Sequence, residues 1–111
     1  MSDVQIIKVS DFSNSPFGRY PSDSNHCGEF FRKNILIPAL SRPGIIKVDM
    51  DTGMARGYEY GSSFLHEAFG GLVLKEGYSS EDIEERISIL SKFDDLVEEV
   101  GEYMKHPEAY V

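Results

Sequence analysis

An α/β domain built on a mostly parallel or mixed sheet of three to five strands covered by helices is the fold class that this sequence predicts. Three observations lead there. Short β-branched runs alternate with segments whose apolar residues recur at three- and four-residue spacing. The resulting order, β-α-β-α-β-α, favours an open sheet with crossover helices over a bundle or a sandwich. The chain has 111 residues, 41% of them hydrophobic, which is enough for one core and too few for two. One domain over residues 1–111 is therefore expected.

Val4-Gln5-Ile6-Ile7-Lys8-Val9 reads as the first strand, stopped by the loop Asp11-Phe12-Ser13-Asn14-Ser15-Pro16. From Ser22 or Ser24 as a cap, Cys27, Phe30, Phe31, Asn34, Ile35 and Pro38 trace one face of a helix that Pro38 should kink or end. Ile45 to Met50 is the second strand, followed by the turn Asp51-Thr52-Gly53. Ser62-Ser63 opens the next helix, whose buried face collects Leu65, Ala68, Phe69 and Leu72. Within it Gly70-Gly71 costs about 1 kcal/mol per glycine, so a close approach to a neighbouring element is expected there.

Ser79-Ser80-Glu81-Asp82 has the cap and acidic first turn of a short helix, and Arg86 to Ser91 alternates as a third strand, although a continuous helix would also collect Ile83, Ile87, Leu90 and Val97 on one face. Phe93, Leu96, Val97, Val100, Tyr103 and Met104 then form the stripe of a final helix, with Asp94, Asp95, Glu98, Glu99 and Glu102 opposite, and Pro107 stops it. The expected core includes Ile6, Val9, Phe30, Ile46, Val48, Leu65, Phe69, Leu72, Ile87, Leu96 and Val100.

No apolar run reaches the roughly 20 residues of a membrane span, and Met1-Ser2-Asp3 lacks the basic start of a signal peptide, so a soluble cytoplasmic protein is expected. Cys27 is the sole cysteine, which excludes an internal disulfide and agrees with a reducing compartment. The net charge of -8 is unevenly placed: eight Lys/Arg balance eight Asp/Glu up to Lys75, whereas three face eleven from Glu76 onward. Nucleic acid and anionic membrane bind chiefly through positive charge, so neither is an expected partner.

The chemistry-bearing stretch runs from the strand Ile45–Met50 through the glycine-containing loop to Gly61-Ser62-Ser63-Phe64-Leu65. Open α/β sheets place their sites at the carboxyl ends of strands. Two hydroxyls beside free helix N–H groups suit a phosphate, whether a ligand or a modification. The same serines are also ordinary caps. Arg19 can pair with Asp49 or Asp51, or face an anion at the serine turn; Glu67, four residues after Ser63, can accept from its hydroxyl. A hydrolase would recruit Ser62 or Ser63, His66 and Asp49, but the Gly-x-Ser-x-Gly elbow is absent and catalysis is not expected. Neither His66-Glu67 nor His26-Cys27 has the spacing of a metal-ligand pair, and no metal or cofactor is expected.

The combination Phe17-Gly18-Arg19, Gly28-Glu29-Phe30-Phe31-Arg32, Val48-Asp49-Met50-Asp51, the block Tyr60 to Leu72 and Glu102-Tyr103-Met104 resembles the bacterial STAS-like family of unknown function, STAS denoting sulfate transporter and anti-sigma factor antagonist. The likeness spans about Val4 to Lys105, with Ser62-Ser63-Phe64-Leu65-His66-Glu67-Ala68-Phe69-Gly70-Gly71 its most specific part. It implies a small STAS-like α/β domain related to anti-sigma factor antagonists, which bind an ATP-dependent serine kinase of the anti-sigma type. In those relatives the phosphoacceptor opens the helix after a central strand, within an Asp-Ser-Ser-Gly-like turn. By that likeness Ser62 falls on the acceptor and Ser63 on the next serine, while Gly61 replaces the aspartate and Phe64 the glycine.

Three functional classes follow. The expected one is a non-enzymatic signalling module that binds a protein partner and is gated by serine phosphorylation. The others are a binding domain for a small anionic ligand such as a nucleotide, held by the serine turn and Arg19, and a structural oligomerisation domain.

Overall fold

In the computed structural model, which describes residues 3–111, the strands β1 (Val4–Lys8), β2 (Ile45–Asp49) and β3 (Ile87–Leu90) form one sheet in the order β1-β2-β3. Met1 and Ser2, the start of the non-basic N-terminus noted above, lie outside the described residues. Both pairings are parallel, with Val4 beside Ile45 and Ile46 beside Ile87, so the sheet has the lower of the expected strand counts and no antiparallel member.

A short helix α1 (Val9–Phe12) follows β1 where an irregular loop was expected. Helix α2 covers residues 28–40 and α3 covers residues 62–74. Each is α-helical at both ends with one π turn between, Arg32–Leu36 in α2 and His66–Gly70 in α3. Next come α4 (Ser80–Arg86), α5 (Asp94–Lys105) and a closing 3-10 turn, Pro107–Tyr110. Among the described residues no helix is long and apolar enough to cross a membrane.

Both crossovers step across the sheet in the same direction, and right-handed crossovers then place their helices on the same face. Exposure along the strands agrees. Gln5, Ile7, Ile46, Val48, Ile87 and Ile89 turn inward, whereas Val4, Ile6, Lys8, Ser88 and Leu90 are exposed. Ile6 is 68% exposed, which corrects its assignment to the core: β1 has apolar residues on both parities, and Ile7 is the one that meets the helices. The expected helical cover is thus one-sided.

Phe30 is likewise half-buried and outside the core, and its neighbour Phe31 is buried in its place. The phase of α2 is set by Gly28, where an added Cβ would lie 2.6 Å from the Phe64 carbonyl oxygen and 2.8 Å from Glu67 Cβ. Only glycine permits this close crossing of α2 over α3. Cys27, not Ser22 or Ser24, is the N-cap of α2; Ser24 instead donates to the Phe17 carbonyl at 2.6 Å and ties down the preceding loop. Pro38 lies inside α2, which continues to Leu40, and the π turn directly before it accommodates the missing N–H and the bulk of the ring. Ser79 caps α4 as expected, accepting from the Asp82 N–H at 3.1 Å.

Candidate functional site

Glu67 sits in the π turn of α3 between His66 and the apolar residues Ala68 and Phe69, and it is 2% exposed. A carboxylate placed there is costly unless it is paired. Three cations converge on it. Arg32, 1% exposed and in the π turn of α2, donates to Glu67 Oε2 at 2.8 Å; Lys75 donates to the same oxygen at 2.8 Å; Arg19 donates to Oε1 at 3.3 Å. Arg32 Nη1 also donates to the Glu67 carbonyl at 2.5 Å, and Arg32 Nε to Glu76 at 2.9 Å. Gly71 makes this passage possible, since a Cβ there would overlap the Arg32 guanidinium. That overlap is the close approach its glycine pair anticipates.

Burial opposes ionisation of Glu67, but hydrogen bonds and charge from Lys75 and Arg32 outweigh it and hold the carboxyl below its ordinary value. For Lys75 burial acts downward, and the bond and charge of Glu67 outweigh it to raise the ammonium above its ordinary value.

His66 borders this hub with both ring nitrogens engaged. Nδ1 lies 2.8 Å from Arg19 Nη1 and Nε2 lies 2.9 Å from the Pro107 carbonyl. A guanidinium can only donate, so Nδ1 accepts and the proton resides on Nε2. The imidazole is therefore fixed between the loop before α2 and the C-terminal turn.

The five residues singled out from sequence separate into three places, with Ser62 turned toward Tyr103 of α5. Arg19 and Glu67 meet, and Ser63 shares a shallow groove with Arg19, Tyr20 and Asp23. Asp49 lies apart, at the end of β2, where its Oδ1 accepts from the N–H groups of Asp51 and Thr52 at 3.0 Å each. Burial there opposes ionisation, but the Thr52 side chain and these N–H groups outweigh it and lower the Asp49 pKa. The expected pairing of Arg19 with Asp49 or Asp51 is thus replaced by Arg19–Glu67. Glu67 is likewise taken up by cations and not by the Ser63 hydroxyl. Asp51 instead accepts from Ser91 Oγ at 2.9 Å and Lys92 N at 2.7 Å.

Gly61 is the N-cap of α3 in extended conformation, with no side-chain capping bond. Ser62 and Ser63 are therefore the first two helical residues, both exposed, and neither is the cap. Ser62 lies beside the Tyr103 phenol, which donates to Glu99 at 2.8 Å. Ser62 or Ser63, His66 and Asp49 do not form a relay, because His66 and Asp49 already have other partners.

Sequence reasoning assigned no role to Arg32, Lys75 or Glu76. A lone Glu67 amid buried apolar residues signals that some cation must reach it. The identity of that cation is set by contacts 35 and 8 residues away along the chain.

The family model described as the STAS-like domain of unknown function (DUF4325) matches residues 28–95. That span runs from the start of α2 into α5 and holds β2, the serine turn, β3 and the Arg32–Glu67 hub. No curated protein and no solved structure gives a significant match. With more than half its length covered by that model, the chain belongs to the STAS-like domain family of unknown function.

Proposed function

We propose that this chain is a cytoplasmic, non-enzymatic regulatory module that binds a protein partner, with phosphorylation of Ser62 as its gate. The observation that carries the reading is the state of the serine turn. Both hydroxyls are exposed at the start of a 13-residue helical segment whose cap is Gly61, so neither has a capping bond to lose. A phosphoryl group on Ser62 adds about -1.5 to -2 charge at a helix N-terminus, where the free N–H groups favour an anion. Folding should survive while a partner seated on the turn experiences a new dianion. An ATP-binding serine kinase of the anti-sigma type is the partner that the STAS likeness suggests.

The small-anion alternative has one favourable feature, the groove shared by Ser63 and Arg19. Arg19 is already engaged by Glu67 and His66, and Asp23 lines the same groove, so the protein-binding reading is preferred. The test is phosphoserine mapping by mass spectrometry on protein isolated from its native cells, combined with partner affinity for Ser62→Asp and Ser62→Ala. The reading expects phosphate at Ser62 and an affinity change in Ser62→Asp with an unchanged melting temperature. Unmodified serines with equal affinities for both variants would remove the gate.

A further inference from the structure

At the carboxyl end of the sheet, away from the buried hub, a cleft of about 430 Å³ opens between the loop after β2 and the start of α5. Met50, Met54, Tyr58, Tyr60, Phe93 and Leu96 supply its apolar lining. Met54, the partly exposed methionine of the lining, can adapt to varied side chains, whereas Met50 is buried beneath it; Phe93 is a large apolar residue left exposed. Tyr58 and Tyr60 pack edge to face at 4.9 Å and donate their hydroxyls to the Pro16 and Met50 carbonyls. The cleft therefore has a wall of braced aromatic rings.

Asp95 and Glu99 belong both to this cleft and to an adjoining groove of about 250 Å³, where Glu98, Glu102, Tyr103 and Tyr110 continue the surface. The two concavities adjoin at Asp95 and Glu99 and together make an interrupted channel along α5. Among the described residues, no Lys or Arg forms an ion pair with Glu59, Asp95, Glu98, Glu99 or Glu102. Lys92 is the single cation of the lining, and its ammonium sits over the Phe93 ring at 5.2 Å. The channel thus joins an apolar, aromatic cleft to a row of uncompensated carboxylates. Its complement is cationic at several points and apolar at one.

We propose that this channel docks a basic amphipathic segment of a partner protein, with an apolar side chain in the cleft and Lys or Arg residues along Asp95, Glu98, Glu99 and Glu102. Arginine fits doubly, since it pairs with carboxylates and stacks on aromatic faces. The inference rests on the protein-binding reading above and adds the partner's chemistry and its place of contact. It also gives the gate a sign. Ser62 borders the channel beside Tyr103, so negative charge at Ser62 increases the attraction for a basic segment.

The probe is a fluorescein-labelled peptide of Lys and Arg around one central Phe, titrated by anisotropy and mapped by amide chemical shifts. Its controls are the same peptide with Phe replaced by Ser, a Glu-for-Lys/Arg version, and spermine. Asp95→Lys with Glu99→Lys should weaken binding about tenfold more than Glu84→Lys with Glu85→Lys, an equal charge change on exposed α4 positions. Shifts should cluster at residues 50–60 and 92–102, the Ser peptide should bind more weakly, and Ser62→Asp should bind the Phe peptide more tightly. Equal losses from the two charge reversals, or spermine producing the same shifts with no advantage for the Phe peptide, would overturn the channel. A natural partner whose binding responds to Ser62→Asp yet survives the Asp95/Glu99 reversal would overturn it while leaving the protein-binding reading intact.

Discussion

Replacing Glu67 by Gln keeps the shape of the hub and removes its central charge. Arg32 would keep Glu76, at its Nε alone, while Arg19 and Lys75 would lose the carboxylate they pair with. They are not equally affected. Arg19 and Lys75 are 29% and 43% exposed at the side chain and can recover hydration, whereas Arg32 at 2% cannot. The cost should therefore come mostly from Arg32. Breaking a buried ion pair from one side costs about 3–5 kcal/mol. At about 4 °C per kcal/mol for a domain of this size, that is a fall of about 12–20 °C in melting temperature.

Thermal and urea unfolding would measure the change, with three variants alongside. Lys75→Met should cost less than about 1 kcal/mol, as partly exposed pairs do. Arg32→Met alone strands Glu67 from its buried partner and should be costly, while Arg32→Met combined with Glu67→Gln should recover much of the loss, because the buried charges disappear together. The sign with pH follows from the lowered Glu67 pKa. Its stabilisation is present above the ordinary value of 4.5 and is lost as pH falls through the depressed folded value, so native protein and Glu67→Gln should converge on acidification. A loss below about 1 kcal/mol for Glu67→Gln, or a Lys75→Met loss as large as that of Glu67→Gln, would refute the assignment of Arg32–Glu67 as the buried hub.

Two helical glycines should respond in opposite directions by circular dichroism melting. Gly71→Ala forces a methyl onto the Arg32 guanidinium and should destabilise, whereas Gly101→Ala in α5, with open space around it, should stabilise by about 1 kcal/mol. Ser63→Ala should leave stability within about 0.5 kcal/mol, since Gly61 is the cap; a loss near 1 kcal/mol would show a capping bond in solution. Tyr60→Phe removes the bond to the Met50 carbonyl at 2.7 Å and should cost about 1 kcal/mol, read by urea unfolding; an unchanged midpoint would mean that water replaces it.

The amino-acid sequence by itself determined most of the alternation of strands and helices, because β2 is a short apolar run between turns, α5 has one clear stripe and Ser79 carries its own cap; at β3 the pattern also allowed a continuous helix, and pairing with β2 selected the strand. It also carried the STAS-like signature from Gly28 through the serine turn. Tertiary structure decided the remainder. In β1 both parities are apolar, so only packing against the helices selected Ile7 over Ile6. The choice of Glu67 over Asp49 for Arg19 came from the close crossing at Gly28 and the space left at Gly71, which bring side chains dozens of residues apart around one buried carboxylate. Local periodicity reports which face of an element is apolar. It does not encode which charge from a distant element will reach a buried partner, because that depends on where the helices cross and how their π turns shift the phase.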